Sequence, residues 1–471
     1  MPSGEGYYRL QTEDTGDVPV RLFLTPELLS AAEDTLYSQI VNATRFPGVK
    51  LVVITPDAHF GYGVPVGCVI LTDAENGAVA MGPVGYDIGC GMMSAQSQVP
   101  FDEATPEKKL LFNRAVMDRV QMGYGGKSER SGALTESEFD RLVRGGAEYY
   151  VEKYGATFDR SRAERHRIPV DDNWTIPKGG KGRPERGINQ LGSLGGGNHF
   201  IELQRSETTR TLFVQVHTGS RGFGHGLATN YFEMARESRP DVTDIDLGYF
   251  TPDSPHYRSY LNAVAAGGNY AILNRLIIFE QVADAFRAVF GSDLELIYEI
   301  SHNLVQRETH PDFGDVLVHR KGATRAFPAG HPSLRNTEWE TTGHPVLIPG
   351  SNKDYSYILR PLPGAVKSGF SVNHGAGRKL SRNQANRTLS QREIDDEYAA
   401  AGILVNIDGH VPLDEAAPAY KSSEEVLRAV TDAGLAEVEH KLWPLASLKG
   451  VDEKNSRGRR KTKRLASSTH Y

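Results

Sequence analysis

Short apolar runs ending in glycine-rich polar turns recur along this chain, a rhythm that predicts strands handing polar side chains to the loops at their ends. Lys50–Thr55 reads as a strand that runs into a polar loop, Pro56-Asp57-Ala58-His59. Cys68–Thr72 reads as a second strand, and a third pattern leads into the glycine-bracketed stretch from Gly82 to Met93. Further strands are predicted over Thr211–Val216, Leu294–Ile300, Asp315–His319, Val346–Ile348, Tyr355–Leu359 and Leu442–Leu448. His217 and His302 each sit just past one of these runs.

Helices are marked by their caps. One is predicted near Pro26 to Asn42, and one opens with Thr105 as N-cap and Pro106 at the first helical position and continues to about Val120. Thr135 to Glu138 forms a capping box for a helix ending near Gly155, and similar boxes at Ser390–Glu393 and Ser422–Glu425 open two late helices. A long helix is predicted from about Pro255 to Phe290, with Gly267-Gly268 as a break or a close-packing point. Residues from 155 to 186 are polar and end in the basic run Lys178–Arg183, which reads as an exposed loop. No fixed-period repeat is visible, and no linker divides the chain.

The stretch that organises these elements is Gly195-Gly196-Gly197-Asn198-His199-Phe200-Ile201-Glu202. Three consecutive glycines let the backbone take up positive φ and approach a ligand with no Cβ in the way. Strand alternation from there would set Asn198 and Phe200 on one face and His199 and Ile201 on the other. A plain glycine turn entering a strand explains the same letters, so the stretch gains meaning only from what converges on it.

Composition narrows the class. At 471 residues with 24% charged and 39% hydrophobic residues, the chain has the profile of a soluble globular protein, and no apolar run reaches membrane-spanning length. Only two cysteines occur, Cys68 and Cys90, which excludes a disulfide framework and makes a reducing cytoplasm the expected compartment. The first residues carry no basic segment followed by an apolar one, so export is not expected. A net charge of -6 disfavours a protein that coats nucleic acid but leaves room for a local basic groove. Glycine is frequent, at 49 residues, and clusters beside His, Asp and Asn, which points to a large site made from loops.

Asp87, Cys90, His199, His217 and His302 offer one carboxylate, one thiol and three imidazoles on such loops, the ligand set of a transition metal rather than of Mg²⁺ or Ca²⁺. Five ligands exceed one tetrahedral site, which suggests two metals with a bridging group. Taken singly, each is more commonly a buried or hydrogen-bonded residue. Arg221, Lys321, Arg378 and Lys449 add cations beside glycine, matched to phosphate oxygens. His374, between Asn373 and Gly375-Ala376-Gly377-Arg378, stands in something closer to a phosphate cradle; spacing alone leaves it as a sixth ligand, a general base or a covalent nucleophile.

PDAHFGYGVPVG, GYDIGCGMM, GGGNHFIEL, HTGSRG, SHN, HRKGA, IPGS and HGAGR, in that order, resemble the RtcB family of 3′-phosphate/5′-hydroxyl RNA ligases over roughly residues 45 to 450. The resemblance implies an α+β fold peculiar to that family, with a deep active-site cleft, as one ligase domain over residues 1–450. It implies GTP as co-substrate and two Mn²⁺ ions held by Asp87, Cys90, His199, His217 and His302, with Cys90 bridging. By the same likeness His374 would carry GMP, while Asn198, Glu202, Pro349, Gly350, Ser351, Ser356, Tyr420 and Lys449 would contact guanylate. Arg378 and Asn303 would lie on the phosphate side, and Arg221 and Lys321 would surround the RNA phosphate. Asp57 and His59 match an early motif whose role stays open. The implied partners are RNA with 3′-phosphate or 2′,3′-cyclic phosphate and 5′-hydroxyl ends, in tRNA splicing or RNA repair, and an archease-like activator.

Two departures stand out. Ser351 is followed by Asn352-Lys353-Asp354 where family members commonly continue with methionine and glycine, and Tyr86 replaces a commoner small residue before Asp87. Two other readings remain: a dinuclear phosphatase or cyclic phosphodiesterase that never ligates, and a degenerate relative that binds RNA ends. Beyond Gly450 a basic tail, residues 451–471, packs seven Lys and Arg between Lys454 and Arg464, a composition expected to be unfolded. If it grips RNA, truncation after Val451 should weaken RNA binding and flatten its salt dependence while leaving reaction with GTP intact; equal affinity and salt slope in a titration would reject that role.

Overall fold

The computed structural model describes residues 1–123, 134–155, 162 and 167–450. The basic tail and the glycine-rich segment after Gly123 lie outside them. Two sheets face each other. One has six strands, ordered Tyr8–Leu10, Val20–Leu22, Val49–His59, Val66–Asp73, Gly314–Lys321 and Asn303–His310. The other runs Glu295–Ser301, Gly91–Pro100, Thr211–Thr218, Phe200–Ser206, Ala436–Lys449, Ser356–Pro361 and Val346–Ile348, with Leu404–Val405 pairing alongside Ala436–Lys449.

The period-two pattern decides what each sheet faces. In the strand Val49–His59, Leu51 and Val53 point to a core shared with Val346, Ile348 and Leu359 of the other sheet, whereas Val52 and Ile54 pack outward with Leu28, Leu36 and Ile40 of two N-terminal helices. In the larger sheet Ile201, Leu203, Val214 and Val216 face the main helical core. Phe200 and Phe213, on the opposite face, join a smaller cluster with Met92 and Ile358. Glu202, Gln204 and Gln215 are even-registered with those two phenylalanines in sense of facing and are almost fully buried, so the polar residues are directed into the space between the sheets.

The main core is organised by the helix Tyr257–Phe290, 34 residues long and buried on nearly every side. Gly267 and Gly268 do not break it. They are the close-packing point: a Cβ on Gly267 would meet Ile88 Cγ2 at 3.0 Å, and Gly268 Cα lies 3.1 Å from where a Cβ on Gly89 would stand. Its buried polar residues each hold a loop. Asn274 accepts from Gly192 N at 2.7 Å and donates to Ser193 O, and Arg275, wholly buried, donates to Gly89 O at 2.7 Å, Thr218 O at 2.8 Å and Ser301 Oγ at 2.8 Å while paired with Glu299.

The caps fall where they are predicted: Thr105, Thr135, Ser390 and Ser422 each accept from a backbone N–H three residues on. Other expectations are corrected. The helix expected over Pro26–Asn42 is two, Pro26–Ser30 and Asp34–Thr44, because Glu33 takes an extended backbone (φ -72°, ψ 140°) between them. Pro56 to His59 are not a loop past a strand but its end, with a register irregularity between Ile54 and His59. The stretch read as an exposed loop before Arg186 buries Val170, Trp174 and Ile176 in the main core and leads into a helix, Pro184–Gln190. A helix over Arg221–Ser238 and strands over Gly91–Pro100 and Asn303–His310 were not anticipated.

Replacing Arg275 with Met leaves Glu299 without its cation and three acceptors without a donor, so we expect a loss of about 3–5 kcal/mol in stability by urea denaturation; a change under about 1 kcal/mol would show that the helix does not depend on this residue.

Candidate active site and metal centre

The loops anchored by Arg275 carry the predicted ligands. His302 N donates to Cys90 O at 2.7 Å and Gly89 N to Asn303 O at 2.8 Å, which joins the Asp87–Cys90 turn to the strand ends around His302. Asn303 adds a side-chain bridge, donating to Asp87 O at 3.2 Å and accepting from Gly322 N at 2.7 Å. Gly219 is required next to this turn, since a Cβ there would stand 2.4 Å from Asp87 Oδ1.

Two triads result. Asp87, Cys90 and His199 present ligand atoms within 4.8 Å of one another, and so do Cys90, His217 and His302. Cys90 belongs to both, with its Sγ 3.6 Å from His199 Nε2 and 3.3 Å from His217 Nε2. The hydrogen bonds fix which nitrogen faces inward. His199 Nδ1 lies 3.0 Å from Leu194 O and His217 Nδ1 lies 3.1 Å from Asn198 O; a carbonyl can only accept, so each Nδ1 carries the proton and each Nε2 a lone pair. His217 Nε2 then faces His302 Nε2 at 3.4 Å, and His199 Nε2 faces the Asp87 carboxylate at 3.1 Å. Burial, with neighbouring imidazoles adding to it, holds His217 and His302 well below the usual imidazole range. Neutral lone pairs converging with a carboxylate in a buried space fit a cation of the transition series. Without one, burial and the Asp87 charge push the Cys90 thiol up.

Beside this cluster opens a cavity of about 410 Å³. His374 lines it, its ring centroid 4.8 Å from that of His302. Asp57, fully buried, accepts from His374 Nδ1 at 2.6 Å, from His374 N at 3.0 Å and from Gly375 N at 3.2 Å, while Thr55 Oγ1 donates to its other oxygen at 2.6 Å. Burial raises the Asp57 carboxyl, but the imidazole and these donors outweigh it and leave the group below its ordinary range. With Nδ1 committed to Asp57, the Nε2 lone pair of a neutral His374 is the atom available for chemistry. Gly322, at φ +60°, leaves the room this imidazole needs, because a Cβ would come within 2.9 Å of its Cε1.

One wall of the cavity is cationic. Lys449 and Arg378 both reach Glu415, at 3.4 and 3.6 Å, and Arg382 pairs with Glu415 and Asp414. Tyr420 donates to Glu415 at 2.6 Å and accepts from Arg378 at 3.1 Å. Three cations against two carboxylates leave this wall net positive. Glu202, buried between Gln204 and Lys449, is pushed up to about 7 mainly by burial. Lys321 stands across the cavity, its Nζ donating to Tyr62 O at 2.7 Å and Val64 O at 3.1 Å, and burial lowers it to about 8.

Asn198, Pro349, Gly350 and Ser351 line the same space. Three expected residues stand outside its lining. His199 closes its triad from behind. Ser356 accepts from Gly350 N at 3.0 Å and from Gln204 at 3.2 Å, so it supports the wall rather than forming it. Arg221, in a left-handed backbone conformation (φ 54°), turns its guanidinium to Ser193 Oγ and Gly123 O. Sequence reasoning missed Glu415 and Arg382 entirely. It noticed Asp57 but gave it no role, although its place in a motif was a usable signal.

Two facing sheets bring two groups of potential metal ligands and a cationic wall to one cavity, the arrangement of a site suited to a cation and a phosphate. The chain belongs to the RtcB family: a family model described as tRNA-splicing ligase RtcB matches residues 39–450. It is 34% identical over 451 residues to the tRNA-splicing ligase RtcB of Aeropyrum pernix, covering 89% of this chain and 92% of that one. It is 36% identical over 440 residues to the RNA-splicing ligase RtcB of Mycobacterium tuberculosis, covering 88% of this chain and 100% of that one. Among the described residues no helix is long and apolar enough to cross a membrane.

Because Cys90 belongs to both triads, Cys90→Ala should strip metal from the whole centre while circular dichroism stays unchanged. Elemental analysis of the purified variant tests this, and metal content equal to the parent's would make Cys90 a core residue only.

Proposed function

We propose that this protein is a GTP- and Mn²⁺-dependent RNA ligase that joins RNA 3′-phosphate or 2′,3′-cyclic phosphate ends to 5′-hydroxyl ends. The observation that carries the reading is His374, packed against His302 and oriented by Asp57, between a cationic wall and a metal-ligand cluster built on a shared cysteine. The match to relatives named RtcB splicing ligases supports the same class of reaction.

His374 Nε2 attacks the α-phosphorus of GTP; a phosphorus–nitrogen bond forms, the α–β bridging bond breaks, and pyrophosphate leaves. Asp57 holds the Nδ1 proton throughout and stabilises the positive ring that carries GMP. Lys449 and Arg378 face the guanylate phosphate, and Glu202 and Ser351 lie where its nucleoside would rest. An oxygen of the RNA 3′-phosphate then attacks the same phosphorus and releases His374. Finally the 5′-hydroxyl of the other strand attacks the activated 3′-phosphorus, its proton is lost, and GMP departs. Lys321 is placed to neutralise the RNA phosphate. Asp87, Cys90, His199, His217 and His302 would hold Mn²⁺, which when bound supplies charge neutralisation and polarisation to phosphate oxygens.

A phosphatase or cyclic phosphodiesterase would need the cluster but not the Asp57–His374 pair beside it. At the departure from the family pattern, Asn352 itself lines the cavity beside Ser351. Asn352 Oδ1 accepts from Tyr398 and Asp354 Oδ2 from Ser423 N at 2.8 Å, which ties the segment to the two late helices while Ser351 stays in the cavity.

Incubation with Mn²⁺ and α-labelled GTP should leave label on the denatured chain. Mg²⁺ alone should not support it, because imidazole and thiolate suit the softer ion. His374→Ala should abolish the adduct and retain metal, and should still join RNA supplied with a preformed guanylylated 3′ end. Asp57→Asn should slow adduct formation by about a hundredfold or more through loss of the ring's fixed tautomer. An adduct retained in His374→Ala would move the nucleophile elsewhere.

A further inference from the structure

The stretch from Phe60 to Gly63 exposes two large aromatic rings, Phe60 at 58% and Tyr62 at 68%, and Tyr62 lines the cavity. Such exposure is not the result of a loose loop. Gln39 clamps Gly61 from both sides, donating to its carbonyl at 2.5 Å and accepting from its N–H at 2.9 Å, and Asn42 donates to Gly63 O at 2.9 Å. The rings are held out by a fixed backbone.

Tyr62 meets Tyr86 edge to face, with centroids 6.1 Å apart, and Tyr86 stacks on Phe232 at 4.4 Å and on His225 at 5.4 Å. The hydroxyl of Tyr86 donates to Asp246 at 2.9 Å, which fixes the second ring as well. Tyr62, Tyr86 and Phe232 line the cavity on the side of Asp87 and Lys321, across from the wall of Arg378, Tyr420 and Lys449. The carbonyl of Tyr62 is itself an anchor for Lys321 Nζ. The turn that presents a ring suited to a base therefore also holds a cation suited to a phosphate, in the cavity that Asp87 and Cys90 line.

We propose that Tyr62, backed by Tyr86, stacks the unpaired terminal base of the RNA end whose phosphate or hydroxyl enters the metal site. This rests on the RNA-ligase reading above. Stacking on an aromatic face tolerates any base, since every base has a π-face, and a preorganised ring loses little freedom on binding. It would fit a protein that must accept ends of differing sequence. Tyr86 extends the cavity wall behind Tyr62.

The test uses full-length protein with Mn²⁺ and short fluorescent oligoribonucleotides, one set ending in a 3′-phosphate and one in a 5′-hydroxyl, each with the terminal base intact or abasic. Binding is read by anisotropy without GTP, so a protein that fails to form the GMP adduct still reports on the wall, and failure of the ligase reading is separately visible in the adduct assay. For at least one end, removing the base should weaken binding by the parent about tenfold. Tyr62→Ala should lose that penalty and Tyr62→Trp should keep it. Each variant is compared with itself on two probes, so altered folding or metal content cancels. A parent indifferent to the terminal base at both ends, or a penalty as large in Tyr62→Ala as in the parent, overturns the proposal.

Discussion

One buried guanidinium holds the site together. Arg275 projects from the central helix into a space with no solvent and divides its donors among Gly89 O, Thr218 O, Ser301 Oγ and the Glu299 carboxylate. These acceptors belong to the three segments that carry Asp87 and Cys90, His217, and His302. A buried ion pair gains little net stability once desolvation is counted. The planar fork of arginine instead fixes three strand ends relative to one another, which lysine with its single point of charge could not do. Because the acceptors are two carbonyls, a hydroxyl and a carboxylate, none of them on the five candidate ligand side chains, the arrangement is set by the protein's own groups.

The same economy of fixed polar groups separates the two halves of the cavity. On the metal side backbone carbonyls set the imidazole tautomers, so the ligand lone pairs converge before any ion arrives, and their mutual repulsion is what a cation would relieve. On the other side Glu415 gathers Arg378, Arg382, Tyr420 and Lys449, which keeps three cations at close quarters without cancelling their charge. His374 lies on the boundary, and Asp57 ties it to the smaller sheet. His374, which follows the strand Ser371–Asn373, and the candidate ligands Cys90 and His217, at the larger sheet, thus face one cavity from different elements.

Much of this was legible because glycine-bracketed polar residues at strand ends are a local signal. The five ligands, His374 and most of the cationic set could be picked out on that ground, and capped helices were found because a cap is a property of four consecutive residues. What escaped was decided by distant partners. Asp57 looked like loop because an acid in a strand is costly, yet it is paid for by donors from Thr55, His374 and Gly375. The helix Arg221–Ser238 was hidden by Gly222, Gly224 and Gly226; a Cβ on Gly226 would meet Lys181 O at 2.0 Å, so packing rather than propensity chose glycine there. Trp174 lay in a polar stretch, and only the core it enters reveals it as buried. Arg275 read as an ordinary helical cation and Glu415 as an acid in a proline- and alanine-rich turn. Neither carries a mark in sequence, because each is defined by what surrounds it in space.

The departures after Ser351 and at Tyr86 follow the same logic. Asn352 lines the cavity while its Oδ1 holds Tyr398, and Asp354 holds the start of the helix Ser423–Asp432, so residues within a binding motif also serve as a structural tie. The backbone of Tyr86 leads into Asp87, while its ring extends an aromatic surface from Phe232 toward Tyr62 in the cavity wall. The first departure thus changes the cavity wall beside Ser351, and the second the wall that Tyr62 and Lys321 share. Both departures therefore bear on the same cavity that Cys90, His302 and His374 line.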